Sequence, residues 1–203
     1  MIAIADYGVG NLFSLRSSFE FIGADVAVTG SADELRDADK IVLPGVGAFR
    51  DAAALLKESG LGEVICAEAE KGKPLLGICL GMQLLFDKSF EYGEYEGLGL
   101  IPGNVKPIAD DLPVPLKIPQ IGWNALTFPG EKSPLFKYIN EGDCVYFVHS
   151  YYATDCAKST IATTEYGIPI TAAVAEDNVF GCQFHPEKSG TVGLNILKAF
   201  CEI

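Results

Sequence analysis

Apolar residues follow two alternating periods along the first half of the chain. Ile2–Ala5 (IAIA) is a short unbroken apolar run, the pattern of a strand buried on both faces. NLFSLRSSFEFI follows, with Leu12, Leu15, Phe19 and Ile22 at helical spacing. ADVAVTG (24–30) predicts a strand. SADELRDA predicts a short helix with Ser31 as N-cap and Glu34 three residues on, the capping-box pattern. KIVLPG predicts another strand, AFRDAAALLKES and GEVICAEAEKG two helices, and PLLGI a buried strand. After residue 88 the segments become short, β-rich and punctuated by Gly and Pro: YEGLGLIPGNVKPI, LKIPQIGWNALTF, CVYFVHSYYA, TIATTEYG and ITAAVAEDNVFGCQFHPE. These predict hairpins or mixed additions to a sheet. GTVGLNILKAFCEI closes the chain as an amphipathic helix.

Strands alternating with helices predict right-handed crossovers and a parallel sheet covered on both faces. The 203 residues suffice for one sizeable core, and no linker, repeat or low-complexity segment interrupts them. The expectation is one α/β domain over residues 1–203.

Composition narrows the class. Apolar residues make up 49% of the chain, as in soluble globular proteins. No apolar run reaches the ~18 residues of a membrane span. The first residues lack a charged leader region, so a cytoplasmic protein is expected. A net charge of -12 repels a polyanion, which argues against nucleic acid as a partner. The six cysteines (66, 79, 144, 156, 182, 201) show no C-x-x-C spacing, and His149 and His185 are the only histidines. That pattern argues against zinc and makes reduced core thiols the default.

Cys79 is the exception to weigh. In GICLG it follows a buried strand, stands between two glycines and precedes a helix, which is the template of a nucleophile elbow. The Leu80 N–H could then donate to an oxyanion, and the helix dipole would favour a thiolate. A buried structural cysteine fits the same stretch. LPGVGAF (43–49) is a second strand-to-helix turn, whose glycines let backbone N–H groups approach a ligand; an ordinary tight turn fits equally. DYGVGNL lacks the third glycine of a dinucleotide loop and reads as a plain βα turn. Of the two histidines, His185 in FHPE is the better base. An extended segment would set Glu187 on the same side, to fix the imidazole tautomer. His149 has no acid within three residues.

PGVGAF, GICLGMQLLF and FHPEKSG, in that order, resemble the signature segments of the class I (triad) glutamine amidotransferases. DYGVGNLFSL, PQIGWN, YFVHSYY and the lysine of HPEKSG resemble, within that class, the glutaminase subunits that serve imidazole glycerol phosphate formation in histidine biosynthesis. The resemblance spans essentially the whole chain. It implies the flavodoxin-like fold of the class: an open, mostly parallel sheet with helices on both faces and β-rich additions in the second half. It implies a triad of Cys79, His185 and Glu187, and an oxyanion hole from Val46, Gly47 and Leu80. Glutamine contacts are implied at Gly45, Gln83, His149, Ser150 and Tyr151, and a partner-facing surface at Asn11, Trp123, Tyr146 and Lys188. It implies no metal or organic cofactor, L-glutamine as substrate, and a (β/α)₈-barrel cyclase as partner in a heterodimer, with no nucleic acid and no membrane. Alternatives are the glutaminase subunit of another synthase, such as that of pyridoxal phosphate, a thiol hydrolase acting alone, or a flavodoxin-like binding protein with an inert Cys79.

Overall fold

The computed structural model describes residues 1–203. The first half runs β1 (Ile2–Ala5), α1 (Leu12–Phe21), β2 (Val26–Thr29), α2 (Ala32–Asp37), β3 (Lys40–Leu43), α3 (Phe49–Glu58), α4 (Leu61–Glu70), β4 (Leu75–Ile78) and α5 (Leu80–Leu84). The second half adds β5 (Phe86–Ser89), β6 (Tyr95–Glu96), β7 (Ile101–Pro107), α6 (Ile108–Asp111), β8 (Gln120–Ala125), β9 (Cys144–His149) and β10 (Tyr151–Thr154). It ends with β11 (Thr160–Glu165), β12 (Pro169–Glu176), β13 (Val179–Cys182) and α7 (Gly190–Glu202).

The main sheet has seven strands in the order β11-β12-β13-β4-β3-β1-β2. β2, β1, β3, β4 and β13 run parallel, and β12 and β11 extend the β13 side antiparallel. The alternation of IAIA explains the layers, because successive side chains leave opposite faces of a strand. Ile2 and Ile4 pack with Leu15, Phe19, Ile196, Leu197 and Phe200, so α1 and α7 cover one face. Ala3 and Ala5 face Leu35, Phe49, Leu56 and Ile65, so α2, α3 and α4 cover the other. The carboxyl ends of the parallel strands share one edge, where open α/β sheets bind ligands.

Two smaller sheets stand beside this core. One has the order β10-β7-β5-β6, and the other is the antiparallel ribbon β8-β9. Here the structure departs from the sequence pattern in three places. CVYFVHSYYA, one continuous strand by pattern, breaks at Ser150 and changes sheet between β9 and β10. The helix predicted after Cys79 has only five residues, because Phe86–Ser89 is taken up as β5 beside β7 and β6. The capping box of α2 closes on one side only. Ser31 Oγ accepts from the Glu34 N–H at 3.4 Å, but the Ser31 N–H donates to Thr29 Oγ1 at 2.9 Å.

One buried ion pair ties helices together away from the sheet edge. Lys73 Nζ lies 2.9 Å from Glu68 and donates to the Leu35 and Arg36 carbonyls at 2.9 and 2.6 Å. It thereby serves the open C-terminus of α2, where helix carbonyls lack internal donors. No helix is long and apolar enough to cross a membrane.

Candidate active site

Cys79 sits between β4 and α5 with φ 56° and ψ -114°, a conformation that side chains other than glycine rarely adopt. Its N–H donates to the Cys182 carbonyl of the neighbouring β13 at 2.7 Å, which pins the strained residue. The glycines on either side are required by close approach. A Cβ on Gly77 would lie 2.8 Å from Gly81 O and Met82 N, and a Cβ on Gly81 would collide with the Leu43 carbonyl. The elbow therefore fits directly against the end of β3. Gly45 completes this packing, since its Cβ would fall 2.7 Å from Gly81 N. Gly45 does not line the cavity in front of Cys79; it lies beneath the elbow.

That cavity measures about 560 Å³, within the roughly 300–1,000 Å³ of small-molecule sites. Cys79, His185, Gln83, Val46, Glu91 and Tyr92 are on its wall, together with Gly47, Leu80, His149, Ser150, Tyr151 and Lys188. The cavity thus brings together Cys79, His185 and the predicted oxyanion and glutamine-contact residues, with Gly45 beneath the elbow and Glu187 behind His185.

His185 Nδ1 meets Glu187 Oε1 at 2.8 Å, with both side chains almost fully buried. The geometry differs from the expected extended HPE segment. His185 itself is extended, but Pro186–Lys188 forms a 3₁₀ turn, so the chain folds the carboxylate back onto the ring. Proline favours this first helical position because it needs no N–H partner there. Burial opposes a charge on His185, but Cys79 and Glu187 outweigh it and carry its pKa up to about 10. Glu187 Oε2 has no hydrogen-bond partner.

His149 is a different histidine. Burial dominates and draws its pKa down to about 4, so it is neutral near pH 7. Its Nδ1 lies 2.8 Å from the Tyr151 carbonyl and its Nε2 lies 3.0 Å from the Gln120 side chain. It braces the Ser150 break and is not placed as a base.

On the opposite wall, Gly47 has φ 94°, and the N–H groups of Val46 and Gly47 donate to no acceptor within the chain. Leu80 opens α5, so its N–H has no intrahelical acceptor. These are free donors close to the elbow. Two anchors position this turn, and neither is visible in the sequence. Tyr7 donates its hydroxyl to the Pro44 carbonyl at 2.7 Å, and Glu91 Oε2 accepts the Phe49 N–H at 2.6 Å, capping α3 from 42 residues away. Tyr92, at φ 52°, packs edge-on to Tyr151 with ring centroids 6.2 Å apart at the cavity mouth. Sequence reading missed Tyr7, Glu91 and Tyr92, because their partners are distant in the chain and no local motif marks them.

Outside the cavity, Trp123 is 63% exposed on β8 and meets Tyr146 edge-on with ring centroids 4.8 Å apart. Lys188 Nζ lies 5.9 Å from the centroid of the same Tyr146 ring. Asn11 caps α1 by accepting the Ser14 N–H, and α1 packs against the Pro186–Lys188 turn. The side chains of Asp6 and Asn11 satisfy the DYGVGNL turn, as expected of a plain βα connection.

Comparison with known proteins agrees with this geometry. The family model for glutamine amidotransferase class-I matches residues 3–202. The imidazole glycerol phosphate synthase subunit HisH of Caldanaerobacter subterraneus subsp. tengcongensis is 52% identical, covering 100% of this chain and 98% of that protein. The subunit of the same name from Geobacillus thermodenitrificans is 48% identical, with 100% and 96% covered. Among solved structures, a glutamine amidotransferase superposes with TM-score 0.77 at 18% identity over 99% of this chain and 97% of that one. PurLQS from Thermotoga maritima gives 0.77 at 20% identity with the same coverage. These two distant likenesses bear on the fold alone. The elbow, the paired His185 and Glu187, and relatives about half identical over the whole chain lead to one conclusion: the chain belongs to the HisH branch of the class I glutamine amidotransferases.

Proposed function

We propose that residues 1–203 act as one glutaminase domain, the subunit of an imidazole glycerol phosphate synthase that releases ammonia from L-glutamine for histidine biosynthesis. The observation that carries this reading is a strained elbow cysteine sharing a cavity with a histidine locked by a buried glutamate. Cys79 attacks the side-chain carbonyl carbon of glutamine with the proton of the Cys79–His185 pair already on His185, whose pKa of about 10 keeps it protonated near pH 7. The developing oxyanion takes N–H bonds from Leu80 and from the Val46–Gly47 turn; one such donor is worth ~3 to 4 kcal/mol in comparable enzymes. His185, held by Glu187, protonates the departing amine, and ammonia leaves. The glutamyl thioester is then hydrolysed by water that gives its proton to His185, releasing glutamate and the Cys79 sulfur and restoring the pair with its proton on His185.

Gln83 contributes to substrate recognition. Its Nε2 is occupied by Tyr151 O at 3.2 Å and Gln183 Oε1 at 3.0 Å, so its Oε1 is the end left to accept an N–H of the substrate. Ser150 and Tyr151 line the cavity on the strand that His149 braces, which suits the glutamine backbone groups.

Ammonia must reach its acceptor before it is protonated by water, so a partner is required. We read the partner as a cyclase of (β/α)₈-barrel form, docked in the cytoplasm on the face of Asn11, Trp123, Tyr146 and Lys188. Lys188 belongs both to that face and to the cavity wall, so it couples the two. The exposed Val46–Gly47 turn, with its unengaged N–H groups, becomes competent when the partner settles on it.

A glutamine-analogue alkylator tests the reading. It should label Cys79 and leave the other five thiols unmodified. Cys79→Ala should abolish glutamine-dependent synthesis by the complex and spare synthesis from added ammonium. Label spread over several cysteines, or glutamine use surviving in Cys79→Ala, would refute it. An isolated subunit that hydrolyses glutamine as fast as the liganded complex would refute the gating of the turn.

A further inference from the structure

A chain of buried amides runs from a backbone carbonyl to the Cys79 sulfur. Gln183 Nε2 lies 3.8 Å from Cys79 Sγ, Gln183 Oε1 lies 3.0 Å from Gln83 Nε2, and Gln83 Nε2 lies 3.2 Å from Tyr151 O. Gln183 is fully buried and Gln83 is 5% exposed, so water does not reorganise them freely.

An isolated glutamine amide can turn over and exchange its donor and acceptor ends. This one cannot, and the reason lies at Tyr151. A carbonyl oxygen only accepts. β10 is an edge strand, and the Ile108 N–H bonds to Ser150 O. Ladder parity therefore turns the next carbonyl, that of Tyr151, off the sheet. There it takes the His149 Nδ1–H and the Gln83 NH₂ group together. Gln83 must keep its nitrogen inward, Gln183 must answer with its oxygen, and the Gln183 nitrogen is left facing sulfur. Turning Gln183 over would set two NH₂ groups against each other in a dry interior, and turning Gln83 as well would set its oxygen against Tyr151 O.

We propose that Gln183 is a further catalytic residue: an amide donor, locked by Gln83 and the Tyr151 carbonyl, that bonds to the Cys79 sulfur and favours its thiolate over its thiol. A hydrogen bond given to the charged form of a group stabilises that form. A thiol would want an acceptor, and the lock presents none from this side. The ionisable groups that act on the sulfur directly are Tyr7 at the end of β1 and His185 with Glu187 behind it, while the neutral His149, Lys188 and Glu91 share the cavity wall with Cys79. Gln183 is the uncharged donor among them, so its effect persists when His185 loses its proton.

The proposal rests on Cys79 being the nucleophile, and the rate of Cys79 alkylation against pH separates the two. In the unaltered protein Cys79 should alkylate selectively; failure there sinks the functional reading itself. In Gln183→Leu the alkylation profile should move about one pH unit upward, about tenfold slower at a fixed pH on its rising limb. A profile that stays in place while the unaltered Cys79 reacts selectively overturns the role of Gln183 alone. Should Gln183→Leu fail to fold, the unaltered protein answers: its Gln183 side-chain amide proton resonances should shift as Cys79 titrates, and a resonance indifferent to that titration overturns the proposal.

Discussion

At the scale of single residues, protonation separates the two histidines. Both are buried, and burial alone would make both neutral. His185 faces a thiol and a carboxylate that outweigh its burial, so its pKa rises to about 10; His149 has no such partner, and burial outweighs its bond to the Tyr151 carbonyl and draws its pKa down to about 4. His185 can therefore hold the proton that a departing amine needs, and His149 cannot. The sign follows for pH. With its folded pKa raised, the charge on His185 contributes stability fully below the ordinary histidine range and loses it as pH rises through about 10. The alkaline limb of kcat/KM should lie near that same pH. Glu187→Gln removes one of the two acceptors, so the limb should move to lower pH. Activity should fall by roughly 10²- to 10⁴-fold, as when the orienting acid of a triad is neutralised. A pH–rate profile of the complex checks both. The identity of His185, Glu187 and Cys79 was legible in sequence because each lies in a short motif. The fold-back of Glu187 through a 3₁₀ turn was not, since HPE suits an extended end equally well.

At the scale of elements, the strand-turn-helix unit around Cys79 works only because its neighbours fit against it. Gly81 touches the end of β3, and Gly77 touches the first turn of α5. Gly81→Ala would drive a methyl group into the Leu43 carbonyl, and the expected cost reaches or exceeds the upper end of the ~1–3 kcal/mol of overpacking. Denaturant unfolding should show that loss, and glutaminase activity should fall with it because Cys79 moves. A second element-scale device is Lys73, which joins Glu68 of α4 to the last carbonyls of α2. Hydrogen bonds from Lys71 and Lys73 hold the Glu68 pKa down to about 2. Its contribution is thus present above the ordinary glutamate range and lost as pH falls toward 2. Lys73→Met should lower the melting temperature at pH 7, and the difference from the unaltered protein should shrink as pH falls below 4. Thermal scans across that window decide it. The helices were legible from periodicity; this tie was not, because Lys73 reads as an ordinary lysine before a strand.

At the scale of the whole molecule, the sheet order gathers the functional residues at one edge. β1, β3, β4 and β13 deliver Tyr7, the Val46–Gly47 turn, Cys79 and His185 there, and the Ser150 break brings Tyr151 across from the smaller sheet. The Trp123–Tyr146–Lys188 cluster lies beside that edge, with Trp123 largely exposed. Such a ring is a candidate anchor for binding, because it buries a large area on docking. Trp123→Ala should leave the melting temperature of the isolated subunit within a degree or so and weaken partner affinity by about tenfold or more. Titration calorimetry with the cyclase would measure the loss; unchanged affinity would remove this face from the interface.

The amino-acid sequence by itself determined the layered α/β architecture, since periodicity reports which faces are buried. It also carried the short motifs in which Cys79 and His185 lie, since close-packed backbone around Cys79 demands glycine and leaves a local signature. Tertiary structure alone decided where the CVYFVHSYYA strand changes sheet, which residues anchor the Val46–Gly47 turn, and how Gln183 is oriented. Each of those depends on a hydrogen-bond partner tens of residues away, and a distant partner leaves no period, spacing or motif in the chain that awaits it.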